Sequence, residues 1–253
     1  MPWQTPSVRS GGLTNTGFGF PDDVIEDPRS FSDDFEDGTI AGHWYPVGEP
    51  GANISESSGS LTVAQGTLTK GSDWLQAGVS SYFHYGPTVQ VECDVQISNG
   101  SGGDGGHVVL HADPQVFAFG SESDYYGRGG SIQVVIEAGG TVALLVRDES
   151  GNNNDKTLST TQGTTGTEFN VRILWNGENN LVTAIVDGNG ETNRASADTS
   201  YADYWALRPG FAWGNADISA NSFSVTGSSQ PSRLFNVNEV YQAIHEGMVT
   251  NPP

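Results

Sequence analysis

The feature that most constrains the fold is a stretch in which apolar and polar side chains alternate without interruption. It covers residues 88–97. A period of two is typical of a β-strand with one buried face, because successive side chains point to opposite sides of a strand. The apolar set, predicted to enter a core, is Val89, Val91, Cys93, Val95 and Ile97. The polar set, predicted to face water, is Gln90, Glu92, Asp94 and Gln96.

Other segments also have strand character, and glycine-containing turn signals separate them. The turn signals lie at residues 138–140, 176–177 and 187–190, and the first predicts a hairpin that joins Glu137 to Thr141. Short strands without intervening helices predict a two-sheet sandwich or a barrel. The further predicted strands are residues 107–110, 131–137, 141–147, 169–175, 181–186 and 221–226.

The chain divides into three regions. Residues 1–30 are rich in Pro, Ser, Thr and Gly and predict an extended N-terminal arm, whereas residues 31–227 carry the strand signals. Residues 228–253 predict a linker and then a short amphipathic helix, with Asn236 as N-cap and Glu239 three residues later. A helix this short needs the sandwich or another chain to cover its apolar face.

Acidic residues outnumber basic ones by 30 to 10, only two of the basic residues are lysines, and the formal net charge is -20. Such a surface repels itself in dilute buffer, whereas molar salt shortens the Debye length to about 3 Å and screens the repulsion. Scattered acid with little lysine resembles the proteins of haloarchaea and their viruses, and the alternative is an ordinary acidic extracellular β-protein. Nucleic-acid binding is excluded, because there is no basic stripe to replace counterions.

The single cysteine, Cys93, excludes an intramolecular disulfide framework and fits a small buried side chain. No stretch approaches the roughly 20 apolar residues of a membrane helix, so no membrane insertion is expected. The N-terminus lacks a basic and apolar signal sequence, so we expect synthesis in the cytoplasm without export by a standard signal.

Six segments resemble, in pattern and order, the strands of concanavalin A-like lectin/glucanase modules, including laminin-G-like ones. Residues 31–39 with Trp44 resemble the opening strand, residues 58–63 the second strand, and residues 89–97 the long central strand. The resemblance implies an all-β, two-sheet antiparallel jelly roll with one concave face, in which the closing strand lies near the first. The remaining matching segments are residues 169–173 and 181–186, a late hairpin, and residues 221–225, the closing strand.

Some glucanases of this fold carry a strand motif of Glu, Asp and Glu at alternate positions, which supplies a nucleophile and a general acid on one face. The comparable residues here are Glu92, Asp94 and Gln96. A glutamine cannot donate a proton to a leaving oxygen, so we expect a solvated strand face and no enzyme. The alternative is that a bulge recruits another carboxylate.

Two groups of residues have side chains that could ligate a metal. His107 and His111 are close in sequence, but their surroundings predict a strand and metal ligation there is disfavoured. A polar loop offers oxygen ligands of the kind that calcium prefers, and its alternative is a hydrated hairpin turn. The candidate calcium ligands are Asp148, Ser150, Asn152, Asn154 and Asp155.

Sugar binding needs aromatic faces beside hydrogen-bonding groups. The glycine-rich loop at residues 121–130 supplies both through Tyr125, Tyr126 and Arg128. A second aromatic group supplies Tyr204 and Trp205, together with Tyr201 and Trp213. Core packing or an oligomer contact is the alternative for each group.

These features favour a non-enzymatic surface or structural protein of a halophilic archaeal virus. It would decorate a capsid or tail, or bind a host glycan or surface glycoprotein. We expect a homo-oligomer that contacts other virion proteins through the arm and the helix, made in the host cytoplasm and located in the virion. The alternatives are a secreted, extracellular glycan-binding module of a halophile, and a glycoside hydrolase or lyase.

Overall fold

The computed structural model describes residues 8–9, 12–13, 30–40, 43–48, 51–70, 75–111, 130–147, 153–199 and 207–229. The predicted C-terminal helix lies outside these residues, as does most of the predicted arm. The described part of the arm is an antiparallel pair, β1 (Val8–Arg9) and β2 (Gly12–Leu13). In the part of the chain described, no helix is long and apolar enough to cross a membrane.

The other strands form two antiparallel sheets, which confirms the predicted all-β sandwich. The eight-stranded sheet contains β3 (Ser30–Asp33), β5 (Asn53–Glu56), β6 (Leu61–Ala64), β8 (Gly86–Ser98), β13 (Glu168–Asn176), β14 (Leu181–Gly188), β15 (Glu191–Asp198) and β17 (Asp217–Ser229). The seven-stranded sheet contains β4 (Trp44–Gly48), β7 (Ala77–Ser81), β9 (Gly105–His111), β10 (Ser131–Glu137), β11 (Val142–Arg147), β12 (Lys156–Ser159) and β16 (Arg208–Gly214).

Strand order differs from chain order in both sheets. The larger sheet runs β15-β14-β13-β8-β17-β6-β5, with β3 also paired to β17, and the smaller runs β12-β11-β10-β9-β16-β7-β4. The last strand therefore pairs with the first strand of the sandwich, as the resemblance implied. This order also places β16 next to β9, which brings residues about 100 positions apart into register.

The alternation of the central strand β8 is confirmed. Val91, Cys93, Val95 and Ile97 are fully buried, whereas the intervening polar side chains are partly exposed. Burial also raises the pKa of the Cys93 thiol, so that Cys93 serves as a small apolar side chain.

The core lies between the two sheets and includes an aromatic cluster near their edges. Trp44, Phe211 and Phe223 pack within 6 Å of one another by ring centroid. His43 joins them, stacked on Phe31 at 3.5 Å, and its Nε2 lies 2.9 Å from the hydroxyl of a serine in β7. Burial lowers the pKa of His43 to about 3, so this histidine is neutral at physiological pH.

The predicted turns join the strands as expected. The amide of Glu137 donates to the Thr141 carbonyl at 2.8 Å, which confirms the hairpin between β10 and β11. Asn189 and Gly190 have φ values of +49° and +75° and form the tight turn between β14 and β15. Positive φ at both central residues gives the twist that a two-residue hairpin needs.

Candidate functional site

The seven-stranded sheet has an outer face, turned away from the core, that carries buried polar side chains. In β9, Val108 and Leu110 enter the core, so His107 and His111 point to the outer face. An outer face of an antiparallel sheet usually meets water. This face is different, since its polar members Ser80, His107, His111, Ser131 and Gln133 are all 0% exposed.

One row of this face joins the ends of four adjacent strands. Arg208 pairs with His111, His111 with Ser131, and Ser131 with Arg147. These residues begin β16, end β9, begin β10 and end β11 respectively. The chain therefore enters or leaves the sheet at this one end at all four residues.

The first residue of β16 organises a cluster at this end. Arg208 Nε donates to His84 Nε2 at 2.9 Å, and an Nη of Arg208 donates to the Tyr45 hydroxyl at 3.2 Å. The Tyr45 ring packs against Tyr82, with ring centroids 4.5 Å apart. We call Tyr45, Tyr82, His84 and Arg208 the Arg208 cluster. It combines a guanidinium, an imidazole and two phenol rings.

Two further hydrogen-bonded groups adjoin the Arg208 cluster. The Ser80 hydroxyl lies 2.8 Å from His111 Nε2, and Ser80 is the cross-strand neighbour of Tyr45. His107 Nδ1 donates to Gln133 Oε1 at 3.1 Å, and Gln133 Nε2 donates to the Ser131 hydroxyl at 2.8 Å. Burial lowers the pKa of His107 to about 4, whereas its bond to Gln133 acts in the opposite direction. The His107 ring is therefore neutral at pH 7.

A glycine makes room for one of these rings. A Cβ atom at Gly214 would lie 2.4 Å from His107 Nε2 and 2.8 Å from the Gly105 carbonyl oxygen. The ring therefore rests directly on the backbone of β16. Any side chain at position 214 would displace His107 or the strand.

The outer face of the eight-stranded sheet is also polar, and the carboxylates at its two acidic glucanase-like positions accept hydrogen bonds from neutral side chains. Asn170 Nδ2 donates to Asp94 Oδ1 at 2.9 Å and approaches Glu92 Oε1 at 3.3 Å. The Ser222 hydroxyl donates to Asp94 Oδ2 at 2.7 Å. Gln96 lies on the same face, so the glucanase-like positions form a hydrogen-bonded surface that lacks the third acid.

A further acid lies opposite Gln96 on the neighbouring strand β13. Glu168 is paired with Gln96 across β13 and β8, and its Oε2 accepts a hydrogen bond from Asn221 at 2.9 Å. Asn221 lies where the register of β17 against β8 shifts. The residue at the irregularity thus supplies an amide, which donates to the Glu168 carboxylate on this part of the face.

The sugar-binding candidates of the sequence, Tyr125, Tyr126, Arg128, Tyr204 and Trp205, lie outside the described residues. In the chain, Tyr204 and Trp205 precede Arg208, and Tyr125, Tyr126 and Arg128 lie between His111 and Ser131. Trp213, from the second aromatic group, is fully buried in the core.

Only two candidate calcium ligands, Asn154 and Asp155, are described. Asp155 forms an ion pair with Arg147 at 2.5 Å, and Asn154 Oδ1 accepts from Lys156 Nζ at 2.7 Å. A calcium ion would have to displace these two cationic partners. Across the described ranges, no group of three or more His, Cys, Asp or Glu side chains is placed to hold a metal.

The predicted strand at His107 and His111 is confirmed. The His107 ring is bonded to Gln133 of the neighbouring strand β10, whereas the His111 ring reaches Ser80 of β7, the strand beyond β16. Sequence reasoning missed Tyr45, His84 and Arg208. One signal was available, since Arg208 is among only ten basic residues and closely follows the Tyr204–Trp205 pair.

Solved structures with this architecture include lectins and one other module. Peanut lectin has 13% identity and a TM-score of 0.53, over 78% of this chain and 96% of its own. The lectin from Bauhinia forficata, in complex with GalNAc, has 11% identity and a TM-score of 0.54, over 79% and 98%. LamAcat from Zobellia galactanivorans has 14% identity and a TM-score of 0.52, over 78% and 96%.

The likeness at these identities defines the fold. The chain is a concanavalin A-like jelly roll, as its strand pattern predicted. Neither a protein-family model nor a curated protein sequence matches the chain.

Proposed function

We propose that the chain is a non-enzymatic carbohydrate-binding module whose site includes the Arg208 cluster. The observation that carries this proposal is the row that joins Arg208, His111, Ser131 and Arg147. At this end of the sheet the Arg208 cluster brings a guanidinium, an imidazole and two phenol rings together.

The chemistry of the cluster suits a sugar. Carbohydrate sites combine aromatic faces with a few fixed hydrogen-bonding groups. Tyr45 and Tyr82 supply phenol rings, and Arg208 supplies a planar set of donors held by His84 and Tyr45. Fixing these side chains before binding reduces the entropy that a ligand must otherwise overcome.

The opposite sheet supports a role without catalysis. Hydrolysis of a glycosidic bond needs two acids with different tasks. Here Glu92 and Asp94 share Asn170 as a partner, and Gln96 occupies the third position. A catalytic module predicts release of reducing ends from a polysaccharide panel and their loss in Glu92→Gln, whereas our proposal predicts no release by the native chain.

The binding site is tested by a glycan array followed by calorimetry in molar salt. We expect Arg208→Ala to weaken binding of the best glycan at least tenfold, because truncation removes donors and leaves Tyr45 and His84 without their guanidinium. The matched control is Arg172→Ala, whose ion pair with Asp187 lies on the other sheet.

Arg172→Ala should bind as the native chain does. Equal affinity of the native chain and Arg208→Ala, with both folded by circular dichroism, would place the binding site elsewhere. Failure of the native chain to bind any glycan on a broad array would contradict the proposed function.

We further propose that the chain is a surface protein of the virion of a halophilic archaeal virus. The alternative is a secreted extracellular module. The net charge of -20 with two lysines supports a high-salt environment. We expect the protein to co-purify stoichiometrically with virions as a closed homo-oligomer. Mass spectrometry of purified particles tests this, and recovery only from the cell-free, particle-free fraction favours the alternative.

A further inference from the structure

The sequence contains two matches to the N-linked glycosylation motif, Asn-X-Ser/Thr. They are Asn53-Ile54-Ser55 and Asn99-Gly100-Ser101. The motif alone is weak evidence, since many matches are not modified. The folded structure, however, treats the two asparagines very differently.

The first motif lies on an open edge. Asn53 and Ser55 belong to β5, the terminal strand of the eight-stranded sheet, which pairs on one side with β6. Ile54 packs against the core, so Asn53 and Ser55 point together to the outer face. Both side chains are exposed, and the side-chain amide of Asn53 forms no hydrogen bond among the described residues.

The second motif is hydrogen-bonded to neighbouring side chains. Asn99 Nδ2 donates to Asp217 Oδ2 at 2.5 Å, and the Ser101 hydroxyl donates to Asp104 Oδ2 at 3.3 Å. Asn99 has a φ of +56°, and a Cβ at Gly100 would lie 2.7 Å from Ala216 Cβ. Asn99 and Ser101 are exposed, as Asn53 and Ser55 are, but the acceptor nitrogen of Asn99 and the recognition hydroxyl of Ser101 are both engaged in hydrogen bonds.

We propose that Asn53 is an N-glycosylation site of the folded chain and that Asn99 is not. Asn53 Nδ2 forms a C–N bond to the anomeric carbon of a lipid-linked oligosaccharide. The bond between that carbon and the phosphate oxygen of the donor breaks, the lipid phosphate leaves as an anion, and the amide releases one proton. No oxidant or reductant is needed.

The position has a structural consequence. An edge strand presents unpaired backbone groups that invite pairing with another chain. A glycan at Asn53 would cover the β5 edge, and it would leave the Arg208 cluster free because that cluster belongs to the other sheet. The inference is independent of the proposed glycan binding.

The test is glycosylation of the folded full chain, purified from a host without the machinery, by a single-subunit oligosaccharyltransferase with a lipid-linked oligosaccharide. Peptide mass spectrometry reads the occupancy at each asparagine. Synthetic peptides of residues 49–58 and 95–104 serve as flexible substrates. We expect both peptides to be modified, whereas the folded chain carries glycan at Asn53 alone.

Two conservative variants provide matched controls. Ser55→Ala should abolish modification of the folded chain, and Ser101→Ala should leave it unchanged. An unmodified Asn53 in a folded chain whose 49–58 peptide is modified would overturn the proposal. Equal occupancy at Asn53 and Asn99 in the folded chain would overturn it as well.

Discussion

A single carboxylate links the stability of the opening segment to pH. Glu56 Oε1 accepts hydrogen bonds from the amides of Gly38 at 3.0 Å and Thr39 at 3.2 Å. Burial raises the pKa of Glu56 to about 7, and a hydrogen bond with Asp37 and the charges of Asp37 and Asp33 add to the increase. Glu56 is therefore largely protonated in mildly acidic solution when the chain is folded.

This assignment predicts the sign of a pH effect. The pKa of Glu56 is higher in the folded chain than its ordinary 4.5, so its contribution to stability is fully present below pH 4.5 and is lost as pH rises through about 7. Relative to Glu56→Gln, which cannot titrate, the native chain should lose about 1 kcal/mol of unfolding free energy between pH 5 and pH 8. Urea unfolding at constant molar salt measures this difference.

The comparison isolates Glu56, because His43 and His107 titrate in both chains. Their lowered pKa values act in the opposite direction, since they reduce stability as pH falls below about 6.5. A constant difference between the two chains across pH 5–8 would contradict the assignment.

Gln162 holds the end of the β14–β15 hairpin from outside. Its Nε2 lies within hydrogen-bond distance of the carbonyl oxygens of Val186 at 3.1 Å, Gly188 at 3.2 Å and Glu191 at 3.1 Å. Its Oε1 accepts from Asn193 at 3.1 Å. The side chain is fully buried, and its two amide hydrogens can serve two of these three carbonyls at a time.

We expect Gln162→Ala to lower the unfolding free energy by about 2 kcal/mol, because it leaves buried acceptors without a donor. Gln90→Ala, at an exposed position of β8, is the matched control and should change it by less than about 0.5 kcal/mol. Denaturant titrations of both variants test this. Equal unfolding midpoints for Gln162→Ala and the control would contradict the prediction, because the buried acceptors would then have lost no stabilising donor.

At the scale of elements, the β14–β15 turn needs a glycine at position 190 for its backbone conformation, and not because a side chain there would clash. Gly190 has a φ of +75°, and a Cβ there would meet nothing within 4 Å. Gly190→Ala should therefore destabilise the chain by about 1 kcal/mol through φ alone. Gly103 also has open space but no positive φ, so Gly103→Ala should be neutral.

Thermal unfolding in molar salt distinguishes the two glycine variants. A loss of stability in both would point to a general effect of removing glycine. No loss in either would mean that the turn adopts another conformation at little cost.

Strands could be predicted from the sequence where buried apolar residues alternate with exposed polar ones. Strand β8 was found because its core residues alternate with solvated ones, whereas β15 was missed because Ala197 is its only buried apolar residue. The Arg208 cluster had no sequence pattern, since Tyr45, His84 and Arg208 come from separate segments. The fold brings β4, β16 and the segment after β7 together, and the pattern of the sequence does not specify that arrangement.

At the scale of the whole molecule, charge sets the conditions in which the fold holds. With a net charge of -20, lowering the salt lengthens the range of repulsion among surface carboxylates. We expect the oligomer or the fold to be lost below about 0.5 M salt. Light scattering and circular dichroism across a salt series measure the two separately, and a native signal in 0.05 M buffer would contradict the prediction.

The shared sheet end at Arg208, His111, Ser131 and Arg147 also makes the molecule a display scaffold. The strands that reach it are fixed by pairing and by the core, so we expect them to keep their register when the segments that connect them are varied. A library diversified at residues 112–129, 148–152 and 200–206 would vary three connecting segments at once. Selection from such a library could yield new specificities on a single unchanged framework.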